Sequence, residues 1–278
     1  MGSPYATQAS ATALYLSVLD PALVVDTGTE VAENDGSEES VSASEQPLVA
    51  LLAGQDVLSA GVLGEVAVAN NDGTSAACAG VAGEGGAVEI GDPAGCVTPG
   101  NSPVVLNLVD VAGLVSARIE ADAISATCAG LADGTTSGGV ELVNARLIVE
   151  QPLLLPDLVV ALDTDVAPNT NLLDVLDPTV AALLSPLVEV ILNEQVPLDP
   201  AEEGDGYYGG LSVTAISVDA LGDALADVEL ANVTCGPSAD LAIVPVVPLA
   251  GVPVALGTLA VVGAGTALIA RHRRGSVA

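Results

Sequence analysis

Apolar and polar side chains alternate along much of this chain with a period of two, the pattern of a strand with one wet face. Ser116–Ala123 shows it most cleanly: Ala117, Ile119, Ala121 and Ala123 fall on one side, Ser116, Arg118, Glu120 and Asp122 on the other. Ala11–Asp26 reads as one or two strands. Gln55–Ala69, Gly139–Val149, Leu158–Leu162, Val188–Leu192, Leu211–Val218 and Ala224–Val233 read as further strands, and Pro178–Leu187 as a short helical turn. Turn residues punctuate them, as in Asn70-Asn71-Asp72-Gly73, where Asn and Gly accept the positive φ angles of tight hairpins. Gly28–Pro47 is acidic and Ser-rich and is expected to be a mobile loop over about residues 28–47. Many short strands joined by Gly/Pro turns predict a mainly β fold, an antiparallel sandwich or barrel; the reading adopted is one β-sandwich-like ectodomain over residues 1–240.

After Asp240 the alternation stops. No charged side chain occurs from residue 241 to residue 270, and then Arg271, His272, Arg273 and Arg274 follow together. A helix needs roughly 20 apolar residues to cross ~30 Å of hydrocarbon, and Leu249–Ala270 supplies that length. Pro245, Pro248 and Pro253 crowd the start of the run, and proline is tolerated only in the first turn of a helix. The pattern therefore predicts a Pro-rich spacer over 241–252, one C-terminal transmembrane α-helix over 253–270 and a basic tail over 271–278. Gly251, Gly257, Gly263 and Gly265 suit a membrane span better than a soluble helix. Arg271, Arg273 and Arg274 form a cytoplasmic stop-transfer signal, which places the N-terminal domain outside the cell. The competing reading, a buried helix of a soluble core, does not account for an uncharged run ending on a cationic cluster.

Charge sharpens the picture. The chain has 36 acidic residues against five Arg and no Lys, and only Arg118 and Arg146 precede the tail. Residues 1–240 thus carry a formal charge of −34. With no cationic footprint to neutralise phosphate, nucleic acid is excluded as a partner. Half the residues are apolar, chiefly Ala, Val and Leu, and with no Trp, no Phe and four Tyr the core must be aliphatic. A haloarchaeal source would also explain the acidity and the missing Lys; folding titrated against molar salt separates that reading from a bacterial one.

Export is the next expectation. Cys78, Cys96, Cys128 and Cys235 form no CxxC pair, and the only His lies in the tail, so a zinc site lacks ligands while disulfides are natural outside the cytosol. Three connectivities exist. A short internal echo favours one of them: Ser75-Ala76-Ala77-Cys78-Ala79-Gly80 recurs as Ser125-Ala126-Thr127-Cys128-Ala129-Gly130. Each copy precedes a Gly-rich turn and a strand start, Val88-Glu89-Ile90 or Val140-Glu141-Leu142. Equivalent hairpins would put Cys78 and Cys128 at corresponding strand ends with separate partners, hence Cys78–Cys96 and Cys128–Cys235. Export also calls for a signal peptide. Met1-Gly2-Ser3-Pro4 offers no cation, and Ala11–Leu19 is short and carries Thr12, Tyr15 and Ser17. Either a leader has been removed or the start is misassigned; a tail-anchored cytosolic protein would run against the Arg orientation.

Several stretches together resemble a known family. They are ISATCAGLADGTTSGGVELVNARL, then Ile191-Leu192-Asn193-Glu194-Gln195, then GGLSVTAISVDA and ALADVELANVTC. This order resembles the choice-of-anchor P family of actinobacterial surface proteins, across roughly residues 50–236. The resemblance implies an exported domain followed by one of several interchangeable anchors, without enzymatic activity. Val247-Pro248-Leu249-Ala250-Gly251 lacks the Thr before Gly that a sortase attacks, so covalent wall attachment is not expected.

The remaining motifs carry little chemistry. Val25-Asp26-Thr27-Gly28 contains the aspartic-protease triplet, but that mechanism needs two carboxylates sharing a proton and no second copy exists. Asn34-Asp35-Gly36, Asn70–Gly73 and Asp133-Gly134 do not complete a calcium loop. Gly83–Gly86 lacks the Lys-Ser/Thr of a phosphate loop, and a Ser nucleophile would have no His on its side of the membrane. Asn232-Val233-Thr234 is a glycosylation sequon that reads equally as strand. Asn193, Glu194, Gln195, Tyr207 and Tyr208 stand out as a polar cluster with paired aromatics, either a ligand platform or a plug between sheets. The expectation is a membrane-anchored surface protein with a structural, display or adhesive role. It would have no catalytic residues, no metal and no cofactor, the membrane as one partner, and an extracellular ligand as another. The alternative is an extracellular binding module for a carbohydrate or a divalent cation.

Overall fold

The computed structural model describes residues 5–19, 22–45, 57–88, 96–111, 115–150, 157–198, 207–220 and 226–240. The expected spacer, span and basic tail, with Arg271, Arg273 and Arg274, lie outside the described residues. Strands are numbered in chain order. The largest sheet runs β16 (Thr170–Asn171), β17 (Val188–Leu198), β19 (Gly210–Ala220), β20 (Ala226–Asp240), β1 (Tyr5–Leu19), β2 (Ala22–Asp26). On this sheet β3 (Glu30–Asn34) also pairs with β1, and β18 (Tyr207–Tyr208) with β20. A second sheet runs β13 (Thr136–Val143), β12 (Ala123–Gly130), β7 (Ser75–Ala82), β6 (Val62–Asn70), β4 (Ser40–Glu45). A third runs β15 (Leu158–Ala161), β14 (Arg146–Glu150), β11 (Val115–Ala121), β10 (Val104–Val111), β5 (Leu58–Ser59). β8 (Ala87–Val88) and β9 (Val97–Thr98) form a small ribbon. The pairings are antiparallel throughout the described residues.

The protein is therefore mainly antiparallel β, as the alternation predicts. β11 buries Ala117, Ile119 and Ala121 and leaves Ser116, Arg118 and Glu120 half-exposed. Past Ala121 the chain steps through Asp122 into β12, passing from the third sheet to the second. The returning chain makes the same step at Asn144, which sits at φ +50° and donates from Nδ2 to Asp122 Oδ2 at 2.6 Å. Gly139–Val149, expected as one strand, is for that reason two. The helical turn expected over Pro178–Leu187 is α1 (Pro178–Leu184), with Pro at its start and the Asp177 carboxylate accepting from the Thr179 N–H.

One expectation is corrected. Residues 28–47, read as a mobile loop, contain β3 and β4. Composition misled because the inward positions of β3 hold half-buried Glu30 and the small residues Ala32 and Asn34, while Val31 and Glu33 face water. A strand needs only one buried face, and a face made of Glu, Ala and Asn does not show as buried in a hydropathy reading.

The second sheet packs on the large one. β6, β7 and β12 contact β1, β20 and β19, and their inward residues share one continuous aliphatic core. Across the large sheet runs a crease. Alternation slips by one residue in four adjacent strands, so that Ala13–Leu14, Ala231–Leu230, Ala215–Ile216 and Asn193–Leu192 are each buried in pairs. The ladder skips Ala13, Ala231, Ala215 and Asn193 while keeping its register on both sides. Ala231 and Asn193 take left-handed backbone there, φ +56° and +52°. Small side chains suit a line where two consecutive residues point at the opposing layer.

Sheet register also decides the disulfides. The two echo copies are neighbours in the second sheet, Cys78 opposite Thr127 and Cys128 opposite Ala77. Residues opposite one another share a face, so Cys78 and Cys128 point to opposite faces. Cys128 reaches inward to Cys235 of the large sheet; Cys78 reaches outward to Cys96, with Cα–Cα distances of 5.8 and 6.2 Å. The outer face is covered by the β8–β9 segment over a small core of Cys78, Ala82, Val88, Cys96, Val97 and Ala123. Gly83 permits the crossing beneath it: a Cβ there would stand 1.6 Å from the Ser102 carbonyl oxygen. The GEGG run is thus a backbone crossing.

Candidate functional site

Asn193 is the most constrained of the polar residues singled out from the sequence. Its position on the crease needs left-handed backbone, which Asn tolerates better than most residues. Its side chain is then bonded on both atoms: Nδ2 donates to the Val166 carbonyl at 2.6 Å, and Oδ1 accepts from Gln195 Nε2 at 3.0 Å. Gln195 Nε2 also donates to the Gly138 carbonyl at 3.1 Å, tying β17 to β13 of the second sheet. Asn169, at φ +57°, closes the circuit, its N–H donating to the Asn193 carbonyl and its Oδ1 accepting from the Gln195 N–H, both at 2.8 Å. Glu194 lies half-buried on the other side of β17, opposite Thr214. The five residues expected as one cluster are not brought together. Tyr207 and Tyr208 pair with Ala239 and Ser238, seven to eight residues or ~25 Å further along β20 than the crease at Ala231, and their side chains lie outside the described ones.

The two Arg of residues 1–240 are spent on one surface ladder. On the wet face of the third sheet Arg118 Nε donates to Glu120 at 2.9 Å, and Arg118 Nη1 donates to Glu150. Arg146 Nη2 donates to the other Glu120 oxygen at 2.6 Å. Glu120 is the hub, and the Arg118 and Arg146 hydrogen bonds hold its carboxyl below the ordinary 4.5. Beside it is a shallow cleft lined by Pro103, Glu120, Ala121, Asp122, Asn144 and Arg146. A lowered carboxyl contributes stability that is present above its ordinary pKa and lost as pH falls through its folded value. Glu120→Gln is expected to cost about 1 kcal/mol or less at neutral pH, a loss that 1 M NaCl shrinks, read from melting temperatures at low and high salt.

A third polar residue was not singled out from the sequence. Glu65 lies in the middle of β6 with 0 % exposure, facing the large sheet. Its Oε1 accepts the Ala13 N–H at 2.8 Å, the peptide that the crease takes out of the ladder. Its Oε2 has no hydrogen-bond partner. Burial pushes its pKa up to about 7, against the opposing pull of the Thr27 hydroxyl and the Ala13 N–H; Glu30 and Glu45 push the same way as burial. The signal in the sequence is one acid inside an apolar strand, masked because Val66 and Val68 make the opposite face look like the buried one.

The other motifs resolve into turn chemistry. Asp26 Oδ1 accepts from the Gly28 N–H at 2.8 Å, Asp72 Oδ1 from Thr74 N–H at 2.9 Å and Asp133 Oδ1 from Thr135 N–H at 2.9 Å. Their side chains cap their own turns. Among the described residues no group of three or more His, Cys, Asp or Glu could hold a metal ion. Asn232 lies mid-strand in β20 and donates to Thr214 Oγ1 at 2.8 Å. No known protein family, curated protein or solved structure matches this chain.

Proposed function

We propose that this chain is an exported, sandwich-like β domain displayed on a cell surface by a single C-terminal transmembrane helix over 253–270. Its role is structural, for display or adhesion, without catalysis. The observation that carries this reading is the uncharged run from residue 241 to 270 ending on Arg271, Arg273 and Arg274. Two disulfides in the preceding domain, one of them between sheets, fit an oxidising compartment. Among the described residues no helix is long and apolar enough to cross a membrane, so the anchor is argued from the sequence of 241–270. The order of motifs resembling choice-of-anchor P proteins supports the same reading, and the surface charge of residues 1–240 keeps nucleic acid away.

Topology tests it. Intact cells expressing the full-length protein, with an epitope at each terminus, are treated with protease. Loss of the N-terminal epitope with survival of the C-terminal one is expected. The reverse pattern would place residues 1–240 in the cytosol and end the surface reading.

A further inference from the structure

Glu65 is an acid that the fold buries without a countercharge, beneath the break between β2 and β3 on the edge of the large sheet. β2 pairs with residues 15–19 of β1 and β3 with residues 7–11, leaving Thr27, Gly28 and Thr29 over the crease. Thr27 bridges the gap, its N–H donating to the Leu14 carbonyl at 3.1 Å and its Oγ1 accepting from the Leu14 N–H at 3.1 Å. Glu65 reaches the same spot from the second sheet through Ala13.

We propose that Glu65 is a proton-operated latch on the β2–β3 edge: protonated, it ties β1 to β6 across the two sheets; ionised, it lets the Ala13–Thr29 joint open. The charged groups around it all oppose ionisation. Glu45 stands directly opposite on β4, Glu30 begins β3 and Asp26 ends β2, while its partner on β7 is Ala79 and Tyr15 of β1 is half-exposed. Arg118 and Arg146 are engaged on the third sheet. An ionised Glu65 would sit in an aliphatic core with no countercharge, against only the Ala13 N–H and the Thr27 hydroxyl, which costs far more than the same charge in water. Opening relieves it. The edge strands yield first because they are paired on one side and joined by a three-residue break.

The sign follows from linkage. Closed, the group titrates near 7; open, it returns to its ordinary 4.5. Opening therefore becomes easier by about tenfold per pH unit between those values and then levels off, about 300-fold in all. Below pH 4.5 the latch is fully closed.

Amide exchange of the full-length protein in detergent micelles, corrected for intrinsic base catalysis, reads this directly. Protection at Ala13, Leu14 and Thr27 is expected to fall about 100-fold or more between pH 4.5 and 7.5, while amides of β17 and β19 hold. In Glu65→Gln, which retains the acceptor for Ala13, the pH course should be flat. An identical course in the variant, or an equal loss across β17 and β19, overturns the latch. Should the variant fail to fold, the Glu65 carboxyl carbon is followed by NMR in the wild-type protein. A midpoint near 7 that coincides with the loss at Ala13 supports the proposal, and a midpoint near 4.5 overturns it.

Discussion

Replacing Cys128 and Cys235 together by Ala is expected to cost about 4–5 kcal/mol. The bond joins positions 107 residues apart, and by the chain-entropy argument releasing a loop of that length gives the unfolded chain about 4.7 kcal/mol of freedom. Both sulfurs sit in the core, Cys235 fully buried and Cys128 nearly so, between the large sheet and the second sheet. Among the described side chains no aromatic lies in that core to compensate for lost contacts, and the two sheets meet chiefly through Ala, Val, Leu and Ile. The urea midpoint should drop by roughly 2 M for a domain of this size. Removing Cys78 and Cys96 should cost about 3 kcal/mol, because that loop spans only 18 residues. It should also loosen mainly the β8–β9 cover, so that exchange protection falls at Val88 and Val97 before it falls in β12. Equal losses from the two pairs, or a midpoint shift below about 0.5 M for Cys128/Cys235, would show that the inter-sheet bond is not what holds the layers.

Legibility followed wetness. Where a strand has one face in water the alternation names its buried side correctly, as in β11, whose Arg and Glu ladder is visible in the bare sequence. Where both faces are covered the alternation loses its meaning. β6 carries Leu63, Glu65, Ala67 and Ala69 toward the large sheet and Val66 toward the small outer core. A reader seeking the apolar side chooses the valines, and the buried Glu65 goes unseen. The crease was hidden for a related reason: an extra buried residue in an Ala- and Val-rich strand looks like ordinary background. The cysteine pairing was readable from the echo, yet its physical cause lies in register, which puts Cys78 and Cys128 on opposite faces of one sheet. The polar cluster divided because Asn193 sits at the crease in mid-sheet while Tyr207 and Tyr208 pair with the far end of β20, beyond the start of β19. Its exposed partner Asn169 could have been suspected only from an Asn-rich turn, Asn169–Asn171, whose contact with Asn193 and Gln195 is invisible before the strands are aligned.

Asn193→Ala is expected to destabilise the full-length protein by about 2–4 kcal/mol, and it separates a structural role from a ligand-binding one. The Val166 carbonyl loses its 2.6 Å donor in a buried setting, which costs about 1–3 kcal/mol. Ala at φ +52° adds about 1 kcal/mol of backbone strain that Asn largely escapes by its local hydrogen bonding. Gln195 also loses one of its two side-chain acceptors, keeping the Gly138 carbonyl. Asn193→Gly should recover about 1 kcal/mol of that loss, since glycine takes the left-handed region freely while the missing amide is not replaced. Asn193→Asp should be worse than either at high pH: it faces the Val166 carbonyl with an oxygen, and a carboxyl buried there has its pKa raised. Stability from such a group is present below the unfolded pKa and lost as pH rises through the folded one, so the penalty grows with pH. Urea midpoints of the three variants at pH 5 and pH 8 give the ranking. If Asn193→Ala leaves the midpoint unchanged, the residue is not bracing the crease, and the polar cluster returns as a place to look for a ligand. If the ranking holds, Asn193 and Glu65 are two solutions to one problem. Asn193 braces the line of slipped residues from within it, by a neutral side-chain amide that ignores pH, and Glu65 braces it from the facing sheet, accepting the Ala13 N–H with an acid that does not.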